Sequence, residues 1–320
     1  MKRIIGCTLL IALMAGCGGE GFYAKKASEG QQAAPPAKIY ANAKELAKEA
    51  FDRIDIISVS EYDQLAKSGA AYMLLDVREK KEVEAGGYAN AIHLPRGVLE
   101  FKITDPKMWE SVGTGLPMPS KDQPIVVYCK SGLRSALAAD NLQRLGFSNI
   151  KMIRGGWVQQ KKGLEDEGSL PVKREQAPQK VVGQFATGKE MAAAAKPNCN
   201  AITVGKLEAY LAATPNAYLF DLRQGKEYKA GHIDGSILVP RGVFEFKVTL
   251  PKKWATVKTE RPMPAKGDPI VVYCKKGSRS ILIADAMRAL GFTNVRYLEG
   301  GWLQYKDGPK PEADDDEGCG

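Results

Sequence analysis

Displaced by 145 residues, this chain lies on top of itself, and that coincidence restricts its fold more than any other feature. Ile57-Ser58-Val59 aligns with Ile202-Thr203-Val204, Leu75-Asp76-Val77-Arg78 with Phe220-Asp221-Leu222-Arg223, and Pro95-Arg96-Gly97 with Pro240-Arg241-Gly242. The register holds without a gap through Glu100-Phe101-Lys102 and Glu245-Phe246-Lys247, Pro117-Met118-Pro119 and Pro262-Met263-Pro264, and Gly155-Gly156-Trp157 and Gly300-Gly301-Trp302. The chain is a tandem duplication. Each repeat runs to about 110 residues, enough for an independent domain, and two copies are too few for a solenoid. Hydrophobic content of 44% and charged content of 26% over 320 residues fit a globular protein able to bury real cores. Short β-type runs alternate with helix-patterned segments, the order expected of an α/β fold.

The same register superposes two cysteine loops, Cys129-Lys130-Ser131-Gly132-Leu133-Arg134-Ser135 and Cys274-Lys275-Lys276-Gly277-Ser278-Arg279-Ser280. Each follows an apolar run, Ile125-Val126-Val127-Tyr128 or Ile270-Val271-Val272-Tyr273. Each opens a segment with apolar residues at i, i+4 and i+7: Ala138, Leu142 and Leu145 in the first, Ile283, Met287 and Leu290 in the second. Gly146 and Gly291 stand where helix stops are expected. Each cysteine is thereby placed at a strand-to-helix junction, with loop N–H groups directed at whatever the sulfur carries. A helix N-terminus and neighbouring Lys and Arg favour negative charge there, which suits a nucleophile or an anion site. The competing reading is a buried strand-end cysteine without chemistry; two copies with matching basic loops weigh against it.

Other chemistries find little support. The net charge of +9 is mild, and no basic stripe with interleaved aromatics suggests nucleic acid; a bias toward anionic substrates is the functional reading of the charge. The two histidines, His93 and His232, are not equivalent in the repeat, since Leu238 stands opposite the first and Gly87 opposite the second. A shared Cys–His dyad is excluded, and activation falls to the loop itself. No metal-ligand spacing or haem-attachment motif is present, and no cofactor is expected.

The six-residue span from Cys to Arg, Cys-x4-Arg, resembles the active-site loop of the rhodanese (sulfurtransferase) family. Related phosphatase and arsenate-reductase loops are one residue longer, Cys-x5-Arg, to surround a tetrahedral oxyanion. Asp-x-Arg after a strand, Gly231-His232-Ile233-Asp234-Gly235-Ser236, the Pro-Arg-Gly turn, the cysteine loop and Gly-Gly-Trp follow rhodanese order over about 220 residues. The first repeat departs at Gly86-Gly87-Tyr88-Ala89-Asn90, where Gly-His-Ile-x-Gly is expected, so its loop should be less well supported. The resemblance implies two tandem α/β domains, residues 51–168 and 198–310, each a parallel sheet flanked by helices. It also implies that Cys129 and Cys274 each hold a sulfane sulfur as a persulfide. Loop groups from Lys130 to Ser135 and from Lys275 to Ser280 would cradle it, and Lys130, Lys275, Lys276, Arg134 and Arg279 would attract an anionic donor such as thiosulfate. Arg96 and Arg241 are second-line candidates for that task. Asp76 with Arg78, and Asp221 with Arg223, either contact substrate or form internal ion pairs. Trp157 and Trp302 are expected in the core. A thiol or cyanide would accept the sulfur. A non-catalytic or chalcogen-carrying binding module is the alternative.

Residues 1–16 read as an export signal, Lys2 and Arg3 followed by the apolar run Ile4–Leu13. Leu13-Met14-Ala15-Gly16-Cys17 resembles a bacterial lipobox, which implies lipid on Cys17 and anchoring in the cell envelope, at the outer membrane facing the periplasm, with an envelope protein as partner. Residues 17–50 are expected to form a tether and short helix, 169–197 a linker in which Lys189–Ala195 can be helical, and 311–320 a solvated acidic tail. In an oxidising compartment, Cys199 and Cys319 are left to form a disulfide.

Overall fold

The two continuous apolar runs become the centres of two sheets. A computed structural model describes residues 38–162 and 183–308. In the first repeat, β1 (Asp55–Ile57), β2 (Met73–Asp76), β3 (Ile92–His93), β4 (Ile125–Tyr128) and β5 (Ile150–Ile153) assemble in the order β1-β5-β4-β2-β3. The second builds β6 (Asn200–Ile202), β7 (Tyr218–Asp221), β8 (Ile237–Leu238), β9 (Ile270–Tyr273) and β10 (Val295–Leu298) in the matching order β6-β10-β9-β7-β8. All neighbours pair in parallel. Parallel sheets are covered on both faces, which explains why β4 and β9 read as unbroken apolar runs rather than alternating ones. Ile125 and Val127 join the core under the helix Leu133–Arg144, while Val126 and Tyr128 pack with Val59 and Tyr62 on the other face. Ala138, Leu142, Ile283 and Met287 are fully buried, as their spacing predicts.

Each repeat begins earlier than its sequence landmarks suggest. The helices Ala43–Phe51 and Gly188–Ala195 start 145 residues apart, capped by Asn42 and Thr187 respectively. Expected as the end of a tether and as a linker piece, they instead pack along the helices Leu133–Arg144 and Ser278–Ala289. Ala43, Ala47, Ala50 and Phe51 are buried in the first core. Their N-termini, however, dock on the other repeat: Ala43 N–H donates to Thr249 Oγ1 at 3.1 Å, and Gly188 N–H to Thr104 Oγ1 at 3.2 Å.

The described parts of the two repeats pack together in one compact unit. Its centre is a reciprocal pair of buried salt bridges. Arg96 donates to Glu245 at 2.8 and 2.9 Å, and Arg241 to Glu100 at 2.7 and 3.0 Å. Gly97 and Gly242 lie backbone to backbone between them, so close that a Cβ on Gly97 would meet Gly242 N at 3.0 Å. Phe246 of the second repeat is packed into the core of the first. Among the described residues, no helix is long and apolar enough to cross a membrane.

Candidate active site

Both cysteines end a central strand, and the backbone places the next three residues around the sulfur. Gly132 and Gly277 adopt φ of +93° and +95°. That left-handed turn is open to glycine at no steric cost, and it aims their N–H groups at the Sγ of Cys129 and Cys274, each at 3.2 Å. The hydroxyls of Ser135 and Ser280 lie 3.6 and 3.7 Å from the same sulfurs. Leu133 and Ser278 open the following helices. Lys130, Ser131, Lys275 and Lys276 are exposed at the loop tips, as a recruiting role requires.

A second clamp holds each loop from behind. Trp157 and Val158 N–H donate to Cys129 O and Lys130 O, and Trp302 and Leu303 N–H to Cys274 O and Lys275 O, at 2.8–3.1 Å. The helices that carry these donors can approach so closely only because Gly156 and Gly301 have no side chain. A Cβ there would sit 2.3 Å from Cys129 O and 2.4 Å from Cys274 O. The Gly-Gly-Trp landmark thus has a mechanical purpose that its tripeptide pattern does not disclose. Trp157 and Trp302 themselves are only half-buried and lie over the guanidinium groups of Arg78 and Arg223.

The loop arginines are held by carboxylates absent from the sequence-based candidates. Arg134 forks onto Glu82 at 2.6 and 2.7 Å, and Arg279 onto Glu227 at 3.0 and 3.2 Å. Burial opposes the charge of each arginine, yet the carboxylate and the cysteine sulfur outweigh it, and both guanidinium groups are held above their ordinary value. Glu82 and Glu227 occupy the same repeat position, the one signal that could have found them.

Two sets of candidates do not face substrate. Asp76 and Arg78 are each 1% exposed, and Arg78 bonds Asp76, Glu82 O and Gly86 O. Asp221 and Arg223 repeat the arrangement, with Arg223 donating to Gly231 O at 2.6 Å. These are internal ion pairs; the first braces the helix Lys80–Glu84, which carries Glu82 to Arg134. Arg96 and Arg241 are consumed by the salt bridges between repeats and cannot bind a donor there. The first loop is also better braced than its missing Gly-His-Ile suggests. Tyr88 N–H bonds Tyr128 Oη at 3.3 Å, as Ile233 N–H bonds Tyr273 Oη at 3.1 Å, because a backbone donor serves whatever side chain it carries.

The two loops open into one cleft of about 2320 Å³. Lys130 and Arg134 line it from one side, and Cys274, Lys275, Lys276 and Arg279 from the other. Cys199 is a free, half-buried thiol that burial pushes up to about 12. Cys17 and Cys319, the expected lipidated and disulfide partners, lie outside the described residues. Among the described residues no cluster could hold a metal ion.

A parallel α/β fold used twice, with a cysteine cradled by backbone N–H groups at each central strand end, defines the class of this protein. The model of the rhodanese-like domain matches residues 58–162 and 203–307, and the chain belongs to that family. It is 36% identical over 89 residues to a Schizosaccharomyces pombe protein named "Putative thiosulfate sulfurtransferase, mitochondrial", covering 27% of this chain and 61% of that one. It is 30% identical over 124 residues to a tRNA uridine(34) hydroxylase of Escherichia coli, covering 37% of this chain and 33% of the hydroxylase. A human single-domain sulfurtransferase of known structure matches at 26% identity and a TM-score of 0.32, covering 36% of this chain and 99% of that one. The chain thus spans less than two thirds of the length of these two sequence relatives.

Proposed function

We propose that the protein moves sulfane sulfur from a small anionic donor, thiosulfate or a compound like it, to a thiol or cyanide. In this reading the thiolate of Cys129 or Cys274 attacks the outer sulfur of thiosulfate. The donor's S–S bond breaks, and sulfite leaves with the electron pair. The cysteine then carries a persulfide, whose negative terminal sulfur is stabilised by the loop N–H groups as an oxyanion hole stabilises oxygen. An acceptor thiolate or cyanide takes that sulfur and returns the cysteine thiolate. Lys130, Lys275 and Lys276 draw the donor in.

The observation that carries this reading is the 3.2 Å N–H contact from Gly132 and Gly277 to the two sulfurs, in loops with Cys-x4-Arg spacing. Intact mass after treatment with thiosulfate is expected to show up to two added sulfurs, lost again on addition of cyanide. A protein that takes up none would instead be a binding module, and one that hydrolyses p-nitrophenyl phosphate would belong to phosphatase chemistry. We place this activity in a bacterial cell envelope, on the lipobox-like segment before Cys17; Cys17→Ser is expected to abolish lipid labelling and release the protein from membranes.

A further inference from the structure

The triplets Glu100-Phe101-Lys102 and Glu245-Phe246-Lys247 recur in register, yet neither lies in a cysteine loop. Their glutamates are engaged by the arginine of the opposite repeat, and Phe246 is buried in the opposite core. The short helices Leu99–Lys102 and Phe244–Thr249 that carry them are thus fixed to the other half of the molecule. The third residue of each triplet, Lys102 or Lys247, lines the shared cleft, as Lys130, Arg134, Lys275 and Arg279 do. A hydroxyl steadies each ammonium: Lys102 Nζ donates to Ser111 Oγ at 2.9 Å, and Lys247 Nζ donates to Thr256 Oγ1.

Charges of the opposite repeat act on both lysines. Burial lowers both; Lys253 and Arg134 lower Lys247 further while Glu82 raises it, and Glu227 raises Lys102. Glu82 holds Arg134 of the Cys129 loop, and Glu227 holds Arg279 of the Cys274 loop.

We propose that the two anion sites are completed by exchange: Lys247 binds the donor at Cys129, and Lys102 binds the donor at Cys274. The ligand is a small dianion with a transferable sulfur. Its identity rests on the sulfurtransferase reading above; the crossed placement of charge does not. One cation a few ångströms from a dianion in a partly exposed cleft changes affinity by about fivefold. It also makes the reciprocal salt bridges part of substrate binding, since a repeat without its partner would lack the exchanged lysine.

Alkylation of the full chain tests the placement without any sulfur chemistry. Iodoacetate, an anion, and iodoacetamide, its neutral analogue, are reacted in parallel, and each cysteine peptide is read by mass. Lys247→Met is expected to lower the iodoacetate-to-iodoacetamide rate ratio at Cys129 about twofold, since iodoacetate carries half the charge of a dianion, and to leave the ratio at Cys274 nearly unchanged. Lys102→Met is expected to do the reverse. Arginine at either position should restore the ratio, and the iodoacetamide rate monitors the fold. An effect on the lysine's own repeat, or on neither cysteine, overturns the proposal. In Cys274→Ser and Cys129→Ser backgrounds, the same crossed pattern should appear in KM for thiosulfate. If the wild type transfers no sulfur, the proposed function fails while the alkylation ratios still decide the crossing.

Discussion

Arg96 of the first repeat forks onto Glu245 of the second with both of its terminal nitrogens, 149 residues away in sequence. Both side chains are buried, at 4% and 1% exposure, so the pair was taken from water in full. A buried pair of this kind contributes little over an apolar replacement, but breaking it strands a charge. Arg96→Met is expected to cost about 3 kcal/mol in denaturant unfolding, and Arg96→Met with Glu245→Leu clearly less. A double variant as unstable as the single one would show that the charges themselves hold the repeats together.

Asp221 and Arg223 brace a strand end and touch no cleft. Asp221→Asn leaves a buried guanidinium short of its partner and should cost about 2 kcal/mol of stability. KM for thiosulfate at Cys274 should stay within about twofold, because uniform binding is lost only when a contact to substrate is removed. A large rise in KM in a protein of unchanged stability would return Asp221 to the substrate site.

Gly301 lets the helix Gly301–Asp307 seat its N–H groups on Cys274 O. With its φ of +60° and a Cβ only 2.4 Å from that oxygen, Gly301→Ala must push the loop away from its clamp. Sulfur uptake at Cys274 should fall more than about tenfold, a geometric loss of the kind a misplacement near 1 Å produces, with Cys129 still loading. Mass mapping of the two loop peptides reads both results at once.

Glu79 lies at the interface beside its repeat counterpart Gln224, and burial pushes its carboxyl up to about 7, against the pull of Arg134. Its Oε1 has no hydrogen-bond partner, nor has Gln224 Nε2. A native value above the unfolded 4.5 means that the folded state holds the proton longer. The contribution is therefore intact below pH 4.5, and stability declines as pH rises from there through about 7. Glu79→Gln should flatten that decline and make the protein more stable than wild type by about 2–3 kcal/mol above it. Parallel pH–stability curves for the two proteins would contradict this assignment.

Cys274 should load from thiosulfate faster than Cys129. Its loop presents Lys275 and Lys276 where the first presents Lys130 and Ser131, and Cys274 itself lines the cleft. One extra cation near a dianion is worth roughly fivefold. Cys274→Ser is thus expected to remove most of the activity and Cys129→Ser less, with the gap narrowing as salt screens the charge. Equal losses from both variants would refute a rate set by loop charge.

The sequence by itself determined the duplication, the parallel α/β layers and the position of both cysteines. Each depends on interactions within one repeat. Continuous apolar runs specify buried parallel strands, i, i+4, i+7 spacing specifies the helices after the loops, and Gly132 and Gly277 permit the turn that points N–H groups at sulfur. Only the tertiary structure decided what Arg96 and Arg241 do. A Pro-Arg-Gly turn looks the same in sequence whether its arginine meets substrate or a glutamate across an interface. The choice depends on how two finished cores dock, and no local spacing encodes that. That the expected short helices Ala43–Phe51 and Gly188–Ala195 belong to the packed cores was hidden for a related reason. Short and alanine-rich, they carry little pattern of their own, and their place is fixed by the surface they cover, because helices of this length gain most of their stability from packing.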